Sequence, residues 1–375
     1  MITISLCMIV RDEEAVLGRC LDSVAPHVEE IIVVDTGSTD RTKEIAGRYG
    51  AKVCDFAWID DFAAARNFAF SKAGMDYILW LDADDYLTPE DGRRLADLKR
   101  TLDPAYNAVS MPYILSTDES GRPSFMLRRH RLVKRSCRFR WIGAVHEYLE
   151  VRGPVFHSDV CVTHDKKKPR TDRNLRIYRA RQAGGEEFSP RDLYYFANEL
   201  RDHGLYEEAC EYYERFLDTG GGWVEDNIQA CLKLAECRRQ LGDERREFGA
   251  LCRSFLYDRP RGECCYRIGE YFLNRGKADQ AAFWFQMAVS LPVPEDAMGM
   301  RNRAMTTWMP HLQLAVCYSR LGKHERGFLH NEKAASYVPN HPSVLHNRKF
   351  YARVLGIEAS AIDPSIANGR SGPSS

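Results

Sequence analysis

Short apolar runs alternate with amphipathic segments through about the first hundred residues of the chain. The runs predict strands over residues 2–10, 31–34, 51–54 and 77–81, and the segments between them predict helices over residues 14–23, 40–49 and 61–73. This alternation is typical of an α/β domain with a largely parallel sheet. Ligands of such domains bind beyond the carboxyl ends of the strands. Residues that directly follow a strand are therefore the first candidates for a binding site.

The pattern changes between residues 106 and 164, where strand-like pieces are separated by turn-rich stretches. The pieces cover residues 108–115, 125–133, 139–141 and 160–163. We expect them to complete the sheet and to supply loops on the side of a second substrate. Basic residues between Arg128 and Arg140 alternate with apolar ones, which predicts a strand with one solvated face.

From about residue 170 the chain is almost wholly helical and repeats itself. The units align on turn glycines at roughly the 34-residue spacing of tetratricopeptide repeats. In the second unit Arg238 and Glu247 stand where apolar residues belong, so that repeat is predicted to be distorted. The turn glycines are Gly204, Gly242, Gly276 and Gly322, and the last spacing is longer because of an insertion over residues 292–302.

Composition narrows the class of protein. The chain has 375 residues, and its 53 basic residues balance 53 acidic ones, which argues against a general nucleic-acid binder. No apolar run approaches the roughly 20 residues of a membrane-spanning helix, and the first residues lack the pattern of a signal peptide. Twelve cysteines are scattered without a Cys-x-x-Cys pair, as in proteins of a reducing compartment. We therefore expect a cytoplasmic protein without a membrane span.

Carboxylates cluster at the end of the apolar run over residues 77–81. Because side chains alternate along a strand, Asp82 and Asp84 are predicted to point the same way and to repel each other unless a cation lies between them. Oxygen ligands at this edge suit Mg²⁺ or Mn²⁺, which a substrate phosphate often shares. The alternative is a turn rich in aspartate that leads into a helix.

Three motifs in sequence order resemble those of a known enzyme family. They are Ser5-Leu-Cys-Met-Ile-Val-Arg-Asp-Glu, Ile31-Ile-Val-Val-Asp-Thr-Gly-Ser-Thr-Asp-Arg-Thr and Leu81-Asp-Ala-Asp-Asp, and together they resemble the inverting family 2 glycosyltransferases with a GT-A fold. Phe62-Ala-Ala-Ala-Arg-Asn and Trp141-Ile-Gly-Ala-Val-His-Glu resemble a bacterial subgroup of lipooligosaccharide glucosyltransferases and peptide S-glycosyltransferases. Several members of that subgroup carry a C-terminal repeat domain.

The resemblance and the helical pattern together imply two domains. An α/β GT-A domain with a Rossmann-like mixed sheet is expected over residues 1–185, followed by an all-α tetratricopeptide-like domain over residues 186–357. Residues 358–375 have the composition of a disordered tail.

The resemblance also assigns the donor site. Asp35 is placed to accept a hydrogen bond from a uracil imide, although an aspartate there also suits an Asx turn. Asp82 and Asp84 are assigned to the ribose and to a Mn²⁺ or Mg²⁺ ion, with His164 as a third ligand. Arg66 and Asn67, on the first turns of a helix begun by an aspartate, are expected to contact the diphosphate or sugar of a UDP-sugar, and a solvated helix face is the alternative for Arg66.

Inversion by in-line attack requires a base on the acceptor side. Glu147, in the segment Gly143-Ala-Val-His-Glu, matches the motif of the subgroup and is the predicted base, with His146 as the neighbour that orients it or the acceptor. Asp85 is the rival for this role.

The predicted activity is metal-dependent transfer of a hexose, of glucose type, from a UDP-sugar to a peptide or protein. A lipooligosaccharide or other cell-surface glycan is the alternative acceptor. A nucleotide-binding repeat scaffold without turnover is the alternative of another class. The repeats are expected to hold the acceptor in their groove or to form a homodimer.

Overall fold

The computed structural model describes residues 1–117, 123–165, 171–292 and 301–356. Contacts divide the chain into a first unit, Met1–Glu199, and a second unit that begins at Leu200. The predicted domain boundary after residue 185 and the predicted homodimer stay predictions. The expected disordered tail lies outside the described residues.

The first unit alternates strands and helices in its first half and is mostly strands in its second. Its strands are β1 Ile4–Val10, β2 Glu30–Asp35, β3 Lys52–Asp55, β4 Tyr77–Trp80, β5 Asp85–Tyr86, β6 Ala108–Thr117, β7 Pro123–Lys134, β8 Trp141–Ile142, β9 Tyr148–Leu149, β10 Val155–His157 and β11 Val162–His164. Its helices are α1 Leu17–Val24, α2 Thr42–Arg48, α3 Phe62–Ser71, α4 Pro89–Thr101, α5 Arg173–Ala183 and α6 Pro190–Asp202, the last of which continues into the second unit.

The large sheet is mixed, as predicted. Strands follow the order β3-β2-β1-β4-β7-β6-β11-β5, and β10 pairs with β6. The first four strands are parallel, whereas β7 runs antiparallel to both β4 and β6. Strands β8 and β9 form a separate antiparallel pair. The carboxyl ends of β1, β2 and β4 therefore lie side by side at one edge, which is where an α/β sheet binds ligands.

Burial on both faces explains why the central strands are nearly continuous apolar runs. On one face of β1, Leu6 and Met8 are fully buried in a cluster with Leu21 of α1 and Leu95 of α4. Cys7 faces the other side, in a second cluster. The helix behind that second face begins as predicted, because the Asp61 side chain accepts a hydrogen bond of 2.9 Å from the N–H of Ala64.

The second unit is a series of helical hairpins. Its helices are α7 Tyr206–Asp218, α8 Val224–Gln240, α9 Glu244–Arg253, α10 Gly262–Asn274, α11 Ala278–Ser290, α12 Trp308–Arg320, α13 His324–Ala335 and α14 Pro342–Leu355. The tight turns inside three hairpins need a left-handed residue, and Gly242, Gly276 and Gly322 supply it with φ of 72°, 72° and 71°. No helix of the described residues is long and apolar enough to cross a membrane.

Ion pairs replace the apolar contacts that the second repeat lacks. Glu247, only 6% exposed, accepts a 3.1 Å hydrogen bond from Arg275 of α10, and Arg238 pairs with Glu214 of α7 at 2.6 Å. Helices α8 and α9 still form a hairpin around Gly242, and α9 continues into a 3₁₀ turn at Ser254–Leu256. Paired charges therefore let this hairpin close despite its departure from the repeat pattern.

A half-buried histidine pair in the second unit is expected to respond to acid. The Nδ1 atoms of His311 and His330 are 3.0 Å apart, between α12 and α13. Burial, and then the nearby His330 and Lys333, lower the pKa of His311 to about 4. A histidine whose pKa falls on folding takes up its proton more readily in the unfolded chain. Its stabilising effect is therefore complete above about pH 6.5 and is lost as the pH falls towards 4.

We expect acidification from pH 7.5 to 4.5 to destabilise the second unit through this pair by on the order of 2 kcal/mol. The substitution His311→Gln should remove much of that pH dependence. Urea unfolding followed by far-ultraviolet circular dichroism at both pH values tests this, and an unchanged pH dependence in the variant would rule out the pair as its source.

Candidate active site

Asp35 is the last residue of β2, and its two carboxylate oxygens have different surroundings. The residue is 1% exposed, and its Oδ1 accepts hydrogen bonds of 2.9 Å from the N–H groups of both Gly37 and Ser38. Burial alone would raise the pKa of Asp35, but the hydrogen bonds from Ser38 and Gly37 outweigh it and lower that pKa. Among the described residues, the buried Oδ2 atom has no hydrogen-bond partner. A buried acceptor without a donor is costly unless a ligand supplies one.

The carboxylates after β4 lie in a turn, and this corrects the predicted strand geometry. The strand ends at Trp80, and the N–H of Asp85 closes the turn on the carbonyl of Asp82 at 3.0 Å. The alternation of strand side chains therefore does not apply to Asp82 and Asp84. Their different directions give the two aspartates different partners.

Asp82, Arg66 and Glu147 form a row of two ion pairs in the site. Arg66 donates from Nη2 to Asp82 Oδ1 at 2.7 Å and from Nε to Glu147 Oε1 at 2.5 Å. Burial would lower the pKa of Arg66, but Asp82 and Glu147 outweigh it and raise that pKa. Burial would likewise raise the pKa of Asp82, but the charges of Arg66 and Arg131 lower it. Arg66 therefore fixes the predicted base and the first aspartate of the motif in one arrangement.

Two tryptophans pack around the Arg66 guanidinium. Its carbon lies 5.0 Å from the ring centroid of Trp80 and 4.8 Å from that of Trp141, and the two rings meet edge to face at 4.7 Å. Asn67 both donates to the carbonyl and accepts from the N–H of Trp141, each at 2.9 Å. The amide of Asn67 is thus used to hold the Trp141 backbone, which differs from the predicted contact with a donor substrate.

Asp84, Asp85 and His164 form the candidate metal group. Each offers one ligand atom, and these atoms lie within 4.8 Å of one another. His164 Nδ1 is 3.4 Å from Asp84 Oδ1 and 3.2 Å from Asp85 Oδ1. Burial raises the pKa of Asp84, with His164 opposing the rise. For His164, burial is outweighed by Asp85 and Asp84, so its pKa is raised. Asp82, which the sequence suggested as a ligand, is absent from this group.

Asp85 is the buried member of the candidate metal group. It is fully buried, and it accepts 2.9 Å from the Tyr113 hydroxyl and 3.0 Å from Arg131 Nη1. Besides the contact of its Oδ1 with His164, its Oδ2 accepts a hydrogen bond of 3.0 Å from the backbone N–H of Asp82. With both oxygens engaged and no exposure, Asp85 is poorly placed to take a proton from an acceptor.

Arg131 corrects the prediction of a solvated basic strand. Its side chain is fully buried on β7, with the guanidinium 3.9 Å from the centroid of Trp80 and 4.3 Å from that of Tyr113. Sequence reasoning missed it because its carboxylate partner lies on a different strand. The available signal was its position directly before the apolar pair Leu132 and Val133.

The His146 side chain contacts helix α6, which no sequence motif connects with the site. Its Nε2 is 2.7 Å from Glu199 Oε1, and its ring stacks on Tyr195 with centroids 4.4 Å apart. Its backbone has φ of 52°. The predicted role of His146 as a neighbour that orients Glu147 or the acceptor stays a prediction, and the residue that orients His146 is Glu199.

Comparisons with known proteins show what the chain is similar to. The model of "Glycosyl transferase family 2" matches residues 5–148. A TPR repeat-containing protein of Synechococcus elongatus is 41% identical over 300 residues, which cover 78% of this chain and 67% of that protein. Glycosyltransferase SunS of Bacillus phage SPbeta is 27% identical over 237 residues, which cover 58% and 54%. The chain thus spans about two thirds of the length of one relative and about half of the other.

A solved structure with local similarity is that of glucosyl-3-phosphoglycerate synthase from Mycobacterium tuberculosis, in complex with Mn²⁺, UDP-glucose and phosphoglyceric acid. It is 26% identical and matches 30% of this chain and 44% of its own, with a TM-score of 0.27. The family match covers all three sequence motifs, and the Synechococcus relative extends the likeness over most of the chain. The chain belongs to glycosyl transferase family 2, and it joins a domain of that family to a helical domain of tetratricopeptide type.

Proposed function

We propose that this protein is a metal-dependent inverting glycosyltransferase that moves a hexose, of glucose type, from a UDP-sugar to a peptide or protein. The observation that carries the proposal is the meeting of two features at one sheet edge. Asp84 and His164 lie within 3.4 Å of each other beyond β4, and Asp35, at the end of β2, has a buried oxygen for which the described residues supply no hydrogen-bond partner. One strand, β1, separates β2 from β4 in the sheet.

Asp35 would recognise the uracil. Its Oδ1 is committed to the backbone of Gly37 and Ser38, so Oδ2 is free to accept the imide N–H of the base. A nucleotide whose base presents only an acceptor at that position would leave Oδ2 unpaired. This difference between the two bases supports UDP, rather than a cytidine diphosphate, as the leaving group.

We expect Asp35→Asn to weaken UDP binding by about 10- to 100-fold, because an amide N–H₂ in place of Oδ2 would face the imide donor. Asp55 is a matched control, since it ends the adjacent strand in register with Asp35 but has a side chain that is 77% exposed. Asp55→Asn should change the Kd by less than twofold. Titration calorimetry with UDP and Mn²⁺ measures both, and equal losses in the two variants would remove Asp35 from the uracil site.

The residues at the sheet edge suit a divalent cation. Asp84 and His164 would hold it, because their ligand atoms are close and their side chains are partly exposed, while Asp85 contacts His164 and fixes its ring. Carboxylate with imidazole is a ligand set compatible with Mn²⁺. When bound, such an ion supplies positive charge at the phosphate oxygens of the departing diphosphate.

Glu147 would accept the proton of the attacking acceptor group. Only one of its oxygens is used by Arg66, and its side chain is 11% exposed. Arg66 holds the carboxylate in place. A cysteine thiol is the acceptor that depends least on such a base, because part of it is already thiolate at neutral pH.

A peptide or protein acceptor is supported by the helical hairpins of the second unit, because stacked repeats commonly bind extended peptides along their inner helices. A screen of UDP-hexoses with peptide mixtures and with glycan acceptors, read by mass spectrometry of the products, tests this choice. Hexose found on peptides supports the proposal. Hexose found only on glycans would contradict the proposed peptide acceptor and would leave the proposed donor chemistry unaffected.

A further inference from the structure

We propose that Glu199 and Arg191 of helix α6 are positioning residues for sugar transfer, acting through His146 on the base segment, which we define as residues 143–147. The inference rests on the proposed function, in which Glu147 of that segment is the base. Both residues contact His146, which directly precedes Glu147.

The base segment has a backbone that needs external support. Gly143 has φ of 100°, which suits glycine, but His146 has φ of 52°. A residue with a Cβ in the left-handed region is unfavourable unless surrounding contacts maintain it. The direction of the Glu147 side chain depends on this conformation, since it follows immediately along the chain.

Helix α6 supplies the support from one side. The His146 carbonyl accepts from both Nε and Nη2 of Arg191, at 3.1 and 3.0 Å. The His146 ring is held by Glu199 at 2.7 Å and by stacking on Tyr195. Glu199 is itself 7% exposed and also accepts from Asn174 Nδ2 of α5 at 3.1 Å. Both the peptide group and the ring of His146 are therefore fixed by α6.

Contacts with the donor side complete the arrangement. Arg66 binds Glu147 Oε1 at 2.5 Å, and the N–H of Phe62 donates to the carbonyl of Ala144 at 2.9 Å. If α6 released His146, Glu147 would keep its partner Arg66 but lose its defined orientation. Proton transfer requires hydrogen-bond distance and alignment, so turnover should fall while donor binding stays.

We expect Glu199→Ala to lower kcat for transfer by about 10- to 100-fold, with the KM for UDP-sugar and the Kd for UDP within twofold of the unsubstituted chain. Glu199→Gln retains an oxygen that can accept from His146 and should recover kcat to within about fivefold. The double variant Glu199→Ala, Glu147→Gln should be no slower than Glu147→Gln alone, because Glu199 acts only through Glu147.

Asp192→Asn is the matched control. Asp192 lies on α6 and pairs with Arg181 of α5 at 2.7 Å, with its side chain 14% exposed, but no contact with the base segment is present among the described residues. This variant should keep kcat within twofold even where its melting temperature falls. A loss of kcat equal to that of Glu199→Ala would reduce Glu199 to a general stabiliser of the helix and overturn the inference.

Hydrogen exchange gives a second measurement that does not depend on turnover. In Glu199→Ala, and equally in Arg191→Met should the first variant not fold, amides of residues 143–148 should exchange at least about tenfold faster while residues 77–85 are unchanged. Unchanged exchange at 143–148, or losses of kcat that multiply in the double variant, would overturn the inference. If Glu147→Gln alone leaves kcat intact, the proposed base fails, and the exchange result still decides whether α6 holds the segment.

Discussion

Asp84→Asn is expected to lower metal-dependent UDP release by about a hundredfold or more, with the Mn²⁺ concentration for half-maximal activity raised. Asp84 lies 3.4 Å from His164 and its side chain is 25% exposed, whereas Asp85 is fully buried, so of these two aspartates Asp84 is better able to reach an ion shared with a substrate. Replacing the carboxylate by an amide removes the charge but keeps the shape. Initial rates over a Mn²⁺ titration measure the effect.

Asp76→Asn provides the control for that experiment. Asp76 precedes the opposite end of β4 and accepts hydrogen bonds from Thr3, away from the carboxyl edge of the sheet. Its substitution should leave the Mn²⁺ dependence unchanged. If Asp84→Asn kept full turnover at every Mn²⁺ concentration, the assignment of Asp84 to the metal would be wrong.

Asp85→Leu is expected to destabilise the first unit by about 3–5 kcal/mol, because it leaves the charge of Arg131 buried without a partner. Arg131 is fully buried, and its Nε and Nη2 atoms have no hydrogen-bond partner among the described residues. The double variant Asp85→Leu, Arg131→Met should recover much of the loss, since an apolar pair replaces an ion pair of similar volume. Urea unfolding followed by tryptophan fluorescence measures these differences.

An exposed ion pair gives the comparison for this prediction. Asp97 pairs with Arg100 on α4, where both side chains are more than 60% exposed, and Asp97→Asn should cost less than about 1 kcal/mol. Should the double variant be no more stable than Asp85→Leu alone, the hydrogen bonds of Asp85 to Tyr113 and to the backbone would account for its effect, rather than the charge of Arg131.

The fold was predictable because its signals are local. Strands β1, β2 and β4 are apolar runs, and turn glycines mark the helical hairpins, so the mixed α/β sheet and the tetratricopeptide-type domain were both expected and are confirmed. The end of a strand was harder to predict. The apolar run continues through Leu81, but β4 ends at Trp80, and one residue of difference changed the expected directions of the aspartates.

Partners within the site were not predictable from local sequence. Asp85 is paired with Arg131 of β7, and His146 with a glutamate 53 residues later on α6. Periodicity identifies which face a residue occupies, but it does not identify the residue opposite in another element. The roles of Asp35, Asp82, Asp84, Glu147 and His164 accordingly stay predictions that the geometry makes specific enough to test.

The most direct measurement of the central claim is UDP release by the full chain from UDP-glucose and related UDP-hexoses, with peptide and glycan acceptors, in Mn²⁺ and in EDTA. The account predicts release with at least one UDP-hexose in Mn²⁺, abolished by EDTA and reduced strongly by Glu147→Gln, which should leave UDP binding nearly intact. Tight UDP binding without release from any of these donors, in either condition, would contradict it and identify the first unit as a nucleotide-binding scaffold.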